Sequence, residues 1–180
     1  MKVLVTGGAG YIGSHVTWAL VDAGHQPIVI DDLTTGVREN LPDVPLVVGR
    51  AGDRTLVFSM MHRYAIEAVM HFAGSIVVPE SVEDPLKYYE NNFCQARGLL
   101  EACHDYGIET FIFSSTAAVY GSPGDAEVDE QTPLAPINPY GRSKWMVEQM
   151  LEDYRRASGL NYTALRYFNV AGADPDGRTG

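Results

Sequence analysis

The chain has 180 residues, of which 46% are apolar, so it is long enough to bury the core of one domain. Its 13 basic and 23 acidic residues give a formal net charge of −10, which would repel a nucleic-acid backbone or an anionic lipid surface. We therefore expect neither nucleic acid nor a membrane as a partner.

Short apolar runs alternate with longer segments of helical periodicity along the chain. The runs predict strands at 2–6, 27–30, 45–48, 68–72, 110–114 and 163–168. Apolar stripes at helical spacing lie between them, most clearly at 12–23, 86–103 and 147–154. Because continuously apolar strands are typical of sheets covered on both faces, the alternation predicts an α/β fold, a doubly wound parallel sheet (Rossmann-like) with helices on both faces.

The remaining composition points to a reducing compartment without metal chemistry. No run approaches the ~18 apolar residues of a membrane-spanning helix, and residues 1–5 pass into glycines without an apolar signal region, so we expect a cytoplasmic location. Cys94 and Cys103 fall about 13 Å apart on one predicted helix and are expected to be reduced thiols. The five histidines show no metal-ligand spacing, so no metal is predicted. The long loop at 121–139, rich in glycine, proline and acidic residues, is typical of functional or mobile segments.

A glycine-rich turn follows the first predicted strand. The pattern Gly8-x-Gly10-x-x-Gly13 precedes an amphipathic helix, and Asp31 and Asp32 follow the second strand. Glycines at these positions permit a tight turn and a close approach of the backbone to a pyrophosphate, and the helix N-terminus favours negative charge. An acid at this spacing accepts hydrogen bonds from the adenosine ribose and disfavours a 2′-phosphate. The pattern predicts NAD in preference to NADP.

Tyr140 and Lys144 lie one helical turn apart at the predicted start of a helix. A free phenol has a pKa of about 10 and is a poor base at neutral pH. An ammonium group on the same helix face would stabilise the phenolate and lower the pKa of Tyr140. The hydroxyl side chains of residues 114–116, at the end of the fifth predicted strand, would supply a partner for the substrate oxygen. Together these features predict a general acid/base site.

Five stretches of the chain, taken together, resemble the extended short-chain dehydrogenase/reductases: residues 6–15, 71–74, 114–121, 140–144 and 166–173. They follow in order, and the resemblance extends over nearly the whole chain. Within that family the chain is most similar to the isomerases that invert C4 of a UDP-hexose (UDP-glucose or UDP-galactose). The resemblance implies tightly bound NAD, a role in galactose metabolism, and a homodimer formed through two long helices at roughly 81–105 and 138–158.

The resemblance also implies roles for individual residues. Thr116, Tyr140 and Lys144 would be catalytic, with Thr116 and Tyr140 also touching the UDP-sugar and Asn169 its diphosphate. The residues implied to hold NAD are Gly7, Gly10, Tyr11, Ile12, Gly13, Asp31, Asp32, Leu33, Thr34, Thr35, Gly36, Phe72, Ala73, Gly74, Ser75, Ile76, Asn91, Tyr140, Lys144 and Phe168. The implied reaction is a transient oxidation in which Tyr140 takes the 4-hydroxyl proton, hydride passes to NAD, the 4-keto sugar turns over, and hydride returns to its other face.

The sequence departs from the family in two places. Similar enzymes have an Asp after the third strand that reaches the adenine, whereas this chain has Arg50, which cannot accept that bond, and then Asp53. Which of the two contacts adenine stays open. Family members also continue into a half that binds the uridine diphosphate. We expect residues 1–171 to form the NAD-binding domain and residues 172–180 to begin a substrate-binding region that is largely absent, so the chain alone should turn over UDP-sugar poorly.

Two other functions are consistent with the same residues. One is a nucleotide-sugar 4,6-dehydratase or decarboxylase of the same family, although related dehydratases carry an acidic pair where this chain has Ala117 and Ala118. The other is a non-catalytic NAD-binding domain. The sequence does not decide between a plain and an N-acetylated sugar.

Overall fold

A parallel sheet organises the molecule. The computed structural model describes residues 1–124 and 127–180; Asp125 and Ala126, which belong to the predicted loop at 121–139, lie outside the described residues. The strands pair in the order β3-β2-β1-β4-β5-β6, and every neighbouring pair is parallel. The strands are β1 (Lys2–Thr6), β2 (Gln26–Asp31), β3 (Leu46–Val48), β4 (Ala68–His71), β5 (Thr110–Ser114) and β6 (Asn161–Leu165). The predicted doubly wound α/β fold is confirmed.

The helices lie between the strands, and α2, α4 and α6 each begin at a residue whose side chain caps the helix. They are α1 (Tyr11–Asp22), α2 (Arg54–Tyr64), α3 (Val78–Glu83), α4 (Pro85–Tyr88), α5 (Gln95–Tyr106) and α6 (Pro139–Ser158), with a π-helical turn (Tyr89–Cys94) joining α4 to α5. The Asn138 side chain caps α6 by accepting a hydrogen bond from Gly141 N at 2.8 Å, and Gly159 ends that helix with φ +80°. Local sequence therefore fixes where the Tyr140 helix starts and stops.

The last strand differs from its prediction. A strand was predicted at 163–168, and β6 instead ends at Leu165, which pairs with Ser114 at the end of β5. The ladder stops there because the chain after Ser114 turns into a 3₁₀ turn (Ala117–Tyr120), and the side chain of Arg166 pairs with Glu148 on α6. Residues 166–168 are thus released to the carboxyl edge of the sheet.

The core lies on both faces of the sheet, as continuous apolar strands predict. Leu4 faces the larger cluster, with Phe111 and Phe113, whereas Val3 and Val5 face the smaller one. At the centre, β1 is flanked by β2 on one side and β4 on the other, so the chain winds in opposite directions from this point. In sheets of this strand order ligands bind at the carboxyl ends of the strands beside that switch point.

Three further observations bear on the sequence-based expectations. Across the parts of the chain that the structure describes, no helix is both long and apolar enough to cross a bilayer. Within residues 1–124 and 127–180, no group of three or more His, Cys, Asp and Glu side chains is arranged to hold a metal ion. Cys94 is exposed and Cys103 is buried, both as free thiols, and burial raises the pKa of Cys103.

Candidate functional site

The turn after β1 contains glycines that serve different purposes. Gly7 has φ +68°, and a Cβ there would lie 2.5 Å from the backbone nitrogen of Ala73; a Cβ at Gly13 would collide with the carbonyl oxygen of Gly7. Gly10 has φ −76°, which suits any residue, and a Cβ there would meet only that same carbonyl oxygen, at 3.3 Å. Packing therefore explains Gly7 and Gly13, while the open side of Gly10 leaves room for an anionic ligand at the N-terminus of α1.

Asp31, at the end of β2, closes over this turn. Its carboxylate is 8% exposed and accepts hydrogen bonds from Ala9 N at 3.0 Å and Leu33 N at 2.9 Å. Leu33 adopts φ +57°, a left-handed conformation that is uncommon for a non-glycine residue and is held by this bond. A carboxylate has about four lone-pair sites, so acceptors remain for ribose hydroxyls. The predicted residues on the same loop are partly buried (Gly36) or exposed (Asp32, Thr34, Thr35).

The loop after β4, residues 72–76, lies beside the glycine turn. Phe72 N donates to Thr6 O at 2.9 Å, and Ala73 packs on Gly7. Asn92 holds the loop from the π-helical turn, because its side chain accepts from Ser75 N at 2.7 Å and donates to Ser75 O at 3.0 Å. The two predicted cofactor loops thus meet at the carboxyl edge of the sheet, between β1 and β4.

Neither candidate for an adenine contact is free of protein partners. The Arg50 guanidinium donates to Asn91 Oδ1 at 3.1 Å and lies 3.6 Å from Glu90. Asp53 caps α2 by accepting from Leu56 N at 3.0 Å. Asn91, in turn, donates to Ser75 Oγ at 3.1 Å, so it ties Arg50 to the loop at 72–76.

Lys144 is a buried ammonium group in the same region. It is 2% exposed, its Nζ donates to Ser114 O at 3.1 Å, and it lies 5.1 Å from the centre of the Phe113 ring. A Cβ on Gly74 would lie 3.2 Å from Nζ, so the ammonium also borders the loop at 72–76. Burial lowers the pKa of Lys144 to about 8. Among the described residues Nζ has one protein acceptor, which leaves N–H donors for a ligand.

His71 lies beneath Lys144 at the end of β4. It is fully buried and stacks on Phe113 with ring centroids 5.8 Å apart. Burial, with a smaller contribution from the Lys144 charge, lowers the pKa of His71 to about 3, so the ring is neutral. Nδ1 pairs with Thr6 Oγ1 at 2.6 Å, and Nε2 has no partner in the part of the chain that is described. Of these two groups, therefore, Lys144 carries the charge and His71 does not.

Tyr140 is half-buried, and Tyr88 packs against it edge to face with ring centroids 6.4 Å apart. Burial raises the pKa of Tyr140, and the nearby Thr116 side chain opposes that shift. Thr116 Oγ1 also accepts from Ala118 N at 3.1 Å, so its proton is free to point at the Tyr140 oxygen. Thr116, two residues beyond β5, and Tyr140, on α6, therefore lie in one neighbourhood at the carboxyl edge of the sheet.

The predicted lowering of the Tyr140 pKa by Lys144 is wrong for this arrangement. The pKa is raised, and the partner that opposes the rise is Thr116. The reason is that the ammonium is directed to the Ser114 carbonyl and the Phe113 ring, while burial penalises the phenolate. Helical spacing places the two groups on one face but does not set their solvation.

The remaining predicted residues lie at the surface. Phe168 and Ile76 are 71% and 69% exposed, and Asn169 is also exposed. Tyr11 is exposed and donates to Gly172 O at 2.6 Å, and Ile12 beside it is half-buried. Among the described residues, no hydrogen bond, ion pair or aromatic contact joins these residues to Tyr140 or Lys144.

A groove of about 510 Å³ lies elsewhere, at the amino ends of the strands, where Lys2, His25 and Arg63 are among its lining residues. It is the opposite edge of the sheet from the glycine turn. Because parallel strands present their ligand-binding loops at the carboxyl ends, the edge that holds Gly10, Asp31 and Lys144 is the stronger candidate.

Comparison with known proteins agrees with this arrangement. A family model described as the NAD dependent epimerase/dehydratase family matches residues 3–180. The chain belongs to the NAD dependent epimerase/dehydratase family. This membership confirms the fold and the resemblance indicated by the sequence motifs.

Several individual members of the family are similar to this chain in sequence and in structure. A UDP-glucose 4-epimerase of Azospirillum brasilense is 59% identical over 180 residues, covering 99% of this chain and 52% of that relative. The UDP-glucose 4-epimerase from Brucella ovis, solved in complex with NAD, has a TM-score of 0.96 at 47% identity over 99% of this chain and 55% of its own. The UDP-glucose 4-epimerase from Thermotoga maritima, solved with UDP-glucose, has a TM-score of 0.92 at 38% identity, covering 100% of this chain and 60% of its own. The chain spans about half the length of the curated relatives it matches.

Sequence reasoning missed several residues that support the site in this family member. Asn92 lies next to the predicted Asn91 but is the one that is buried, and its side chain also donates to Ser143 Oγ at 2.9 Å on α6. Glu148 and Arg166 form a largely buried ion pair, and Glu148 also accepts a hydrogen bond from Ser115, the residue before Thr116. The only available signal was the position of Glu148 one turn beyond Lys144.

Proposed function

We propose that this chain binds NAD at the carboxyl edge of its sheet and carries the acid–base half of a UDP-hexose 4-epimerase. One observation carries the proposal: a buried ammonium, Lys144, lies against the loop at 72–76, one helical turn beyond Tyr140 on the same helix. A lysine buried at such cost, beside a glycine turn with room for a ligand, is typical of a functional site.

The residues present fit the dinucleotide. Gly10 and the N-terminus of α1 would hold the pyrophosphate, and Asp31 would accept from the adenosine ribose. The unused donors of Lys144 and the loop at 72–76 would hold the nicotinamide half. When bound, NAD supplies a hydride acceptor that also returns the hydride. A carboxylate at Asp31 favours NAD over NADP because it repels a 2′-phosphate.

The chain's own residues handle the proton. Tyr140 accepts the proton of the sugar 4-hydroxyl as the C4 hydrogen leaves as hydride, and it returns that proton when hydride re-enters on the opposite face. Thr116 donates its hydroxyl proton toward the Tyr140 oxygen and so favours the phenolate. Lys144, with a pKa of about 8, is charged at neutral pH and makes the crevice favourable for an anion. Because the pKa of Tyr140 is raised, we expect turnover to increase with pH as the phenolate forms.

How fast the chain alone can epimerise a UDP-sugar depends on how firmly it holds the nucleotide part of that substrate. A sugar that must turn over while it stays bound has to be held through its nucleotide, and remote binding energy supports the chemical step. We propose that residues 1–171 form the NAD-binding domain and that 172–180 lead toward a nucleotide-sugar region, with Asn169 near the diphosphate. The chain alone is then expected to bind NAD and to epimerise UDP-sugar poorly.

The proposal extends to assembly and location. Val82 and Leu86 on α3 and α4 are 64% and 77% exposed, which favours a homodimer formed through the helices α3 to α6. Such an enzyme would act in galactose metabolism in the cytoplasm. Sedimentation of the purified chain would test the dimer, and a monomer at high concentration would count against it.

Separate titrations with NAD and UDP-glucose test the proposed function. Calorimetry is expected to show NAD binding by the wild-type chain, weak UDP-glucose binding, and little conversion of UDP-glucose to UDP-galactose. Absence of NAD binding would overturn the cofactor assignment. Robust epimerisation by the chain would overturn the expectation of poor turnover.

The raised pKa of Tyr140 favours a second candidate, an NAD-binding domain without catalysis. The two functions differ in hydride transfer. An epimerase site incubated with NAD and UDP-galactose forms some reduced nicotinamide, detected by its fluorescence, and Tyr140→Phe abolishes it. A binding domain forms none in either protein.

A further inference from the structure

The carboxylate of Glu148 continues the functional face of α6. Residues 140, 144 and 148 are each one turn apart, so they share one side of the helix. Glu148 is 6% exposed, and a buried carboxylate is unfavourable unless it is paired and hydrogen-bonded. Its partners should therefore reveal why the chain keeps an acid at this position.

Those partners lie on the segment that carries Thr116 and just beyond β6. The Ser115 hydroxyl donates to Glu148 Oε1. Arg166, just beyond β6, approaches the same carboxylate with Nε at 3.2 Å from both oxygens and with a second nitrogen at 2.7 Å from Oε2. Arg166 also donates to Tyr120 Oη at 3.1 Å, at the end of the 3₁₀ turn. One carboxylate thus joins α6 to the segment that carries Thr116.

The segment around Thr116 is held at successive residues. Lys144 binds the carbonyl of Ser114, Glu148 binds the hydroxyl of Ser115, and Ala117 N donates to Tyr167 O at 2.6 Å. Thr116 lies between these anchors, and its side chain is near enough to Tyr140 to lower the pKa of that phenol. Two of the three anchors of the segment are reached through side chains of the Tyr140 face of α6.

We propose that Glu148 is a positioning residue that holds Ser115 and thereby sets the Thr116 hydroxyl against Tyr140. Arg166 neutralises the carboxylate, so the anchor adds no net charge beside Lys144. The pair is not required to attach the helix, because Val147 and Leu151 already bury α6 in the larger core. This inference rests on the proposed role of Tyr140 in proton transfer.

The pKa of Tyr140 is the readout, because it would not change if Glu148 served only to stabilise the fold. It is measured as the ultraviolet difference on alkaline titration between each protein and the same protein with Tyr140→Phe added. Thr116→Val is the benchmark, since it removes the hydroxyl that opposes the rise and is expected to raise the pKa of Tyr140 by about one unit. Ser115→Ala should shift the pKa in the same direction by a comparable amount. Ser158→Ala, which removes a serine hydroxyl from the exposed end of the same helix, should leave it unchanged.

Glu148→Met combined with Arg166→Met tests the acid itself without changing the net charge. Replacing a buried ion pair by apolar residues often preserves stability, so a loss of positioning can appear without unfolding. The expected result is a raised pKa of Tyr140 in a protein that melts cooperatively. If that variant does not fold, Ser115→Ala decides the question, because it removes a single hydroxyl.

An unchanged Tyr140 pKa in folded Ser115→Ala protein would overturn the proposal, whatever happens to the melting temperature. The readout needs neither cofactor nor turnover. A wild-type chain that fails to bind NAD would therefore overturn the proposed function while the positioning result could still be read.

Discussion

Replacing Lys144 by methionine is expected to stabilise the folded chain. Burial lowers the pKa of Lys144 from 10.5 to about 8. Each pKa unit corresponds to about 1.36 kcal/mol, so holding the charge at neutral pH costs the folded state roughly 3 kcal/mol. The variant loses the hydrogen bond to Ser114 O and the contact with the Phe113 ring, which together offset about 2 kcal/mol. The net expectation is a gain of about 1 kcal/mol, or about 2–4 °C in melting temperature.

The pH dependence separates this charge effect from a packing effect. The folded pKa of Lys144 lies below its unfolded value, so between about pH 8 and 10.5 the unfolded chain binds more protons than the folded chain. Wild-type stability therefore includes a contribution that rises with pH through this window, and the methionine variant lacks it. The stability advantage of the variant should shrink and then reverse as the pH rises.

Urea unfolding of both proteins at about pH 7 and about pH 10 measures this difference directly. Lys87→Met is the matched control, because Lys87 is exposed and pairs with Glu80 on the surface, so the same substitution should change stability little. A Lys144→Met protein that is destabilised by several kcal/mol at neutral pH, or a difference that is the same at both pH values, would refute the reasoning.

Three other outcomes are expected. Gly10→Ala should fold like the wild type and bind NAD about tenfold more weakly, which calorimetry checks. Gly13→Ala should lose about 1–3 kcal/mol of stability in thermal melting, because of these two positions Gly13 is the one where a Cβ would collide with the backbone. Asp31→Asn should lower the preference for NAD over NADP by about tenfold, with Asp43→Asn in a neighbouring loop as the control; equal preference in wild type would count against the ribose assignment. The Tyr140 phenol should titrate above its ordinary pKa in the wild-type chain, and a value below it would show that burial is not the dominant influence.

Elements with local end signals were predictable from the sequence. The bounds of β1 and β5 were predicted as observed, since a glycine turn follows one and a run of hydroxyl residues follows the other. The end of β6 was not, because it is set by the ladder with β5 and by the Arg166–Glu148 pair.

The path of residues 172–180 had no local signal either. Arg178 binds Asp22 at the end of α1 and Asp174 within the segment, and it lies 4.5 Å from the Trp18 ring. Ser14 and Thr179 share a buried hydrogen bond of 2.7 Å. These contacts join residues more than 150 positions apart, and only the folded chain brings them together.

Site residues were predictable from the sequence where a short motif specifies its own local geometry. The glycine pattern, Asp31 and the Tyr140–Lys144 spacing each specify a local geometry on a strand end or a helix face. Asn92 and Glu148 were missed because they support the site through hydrogen bonds to residues on other elements, which the sequence does not reveal. The pKa of Tyr140 was predicted with the wrong sign because burial, a property of the whole fold, outweighs what spacing along one helix can supply.

The nucleotide retained by the protein tests most directly whether the carboxyl edge of the sheet is an NAD site. The purified chain is incubated with equal amounts of NAD and NADP, freed of unbound nucleotide, and denatured, and the released molecule is identified by mass spectrometry. NAD is the predicted product, and it should be strongly reduced in Gly10→Val protein that melts like the wild type. Release of NADP, or of no dinucleotide at all, would contradict the assignment.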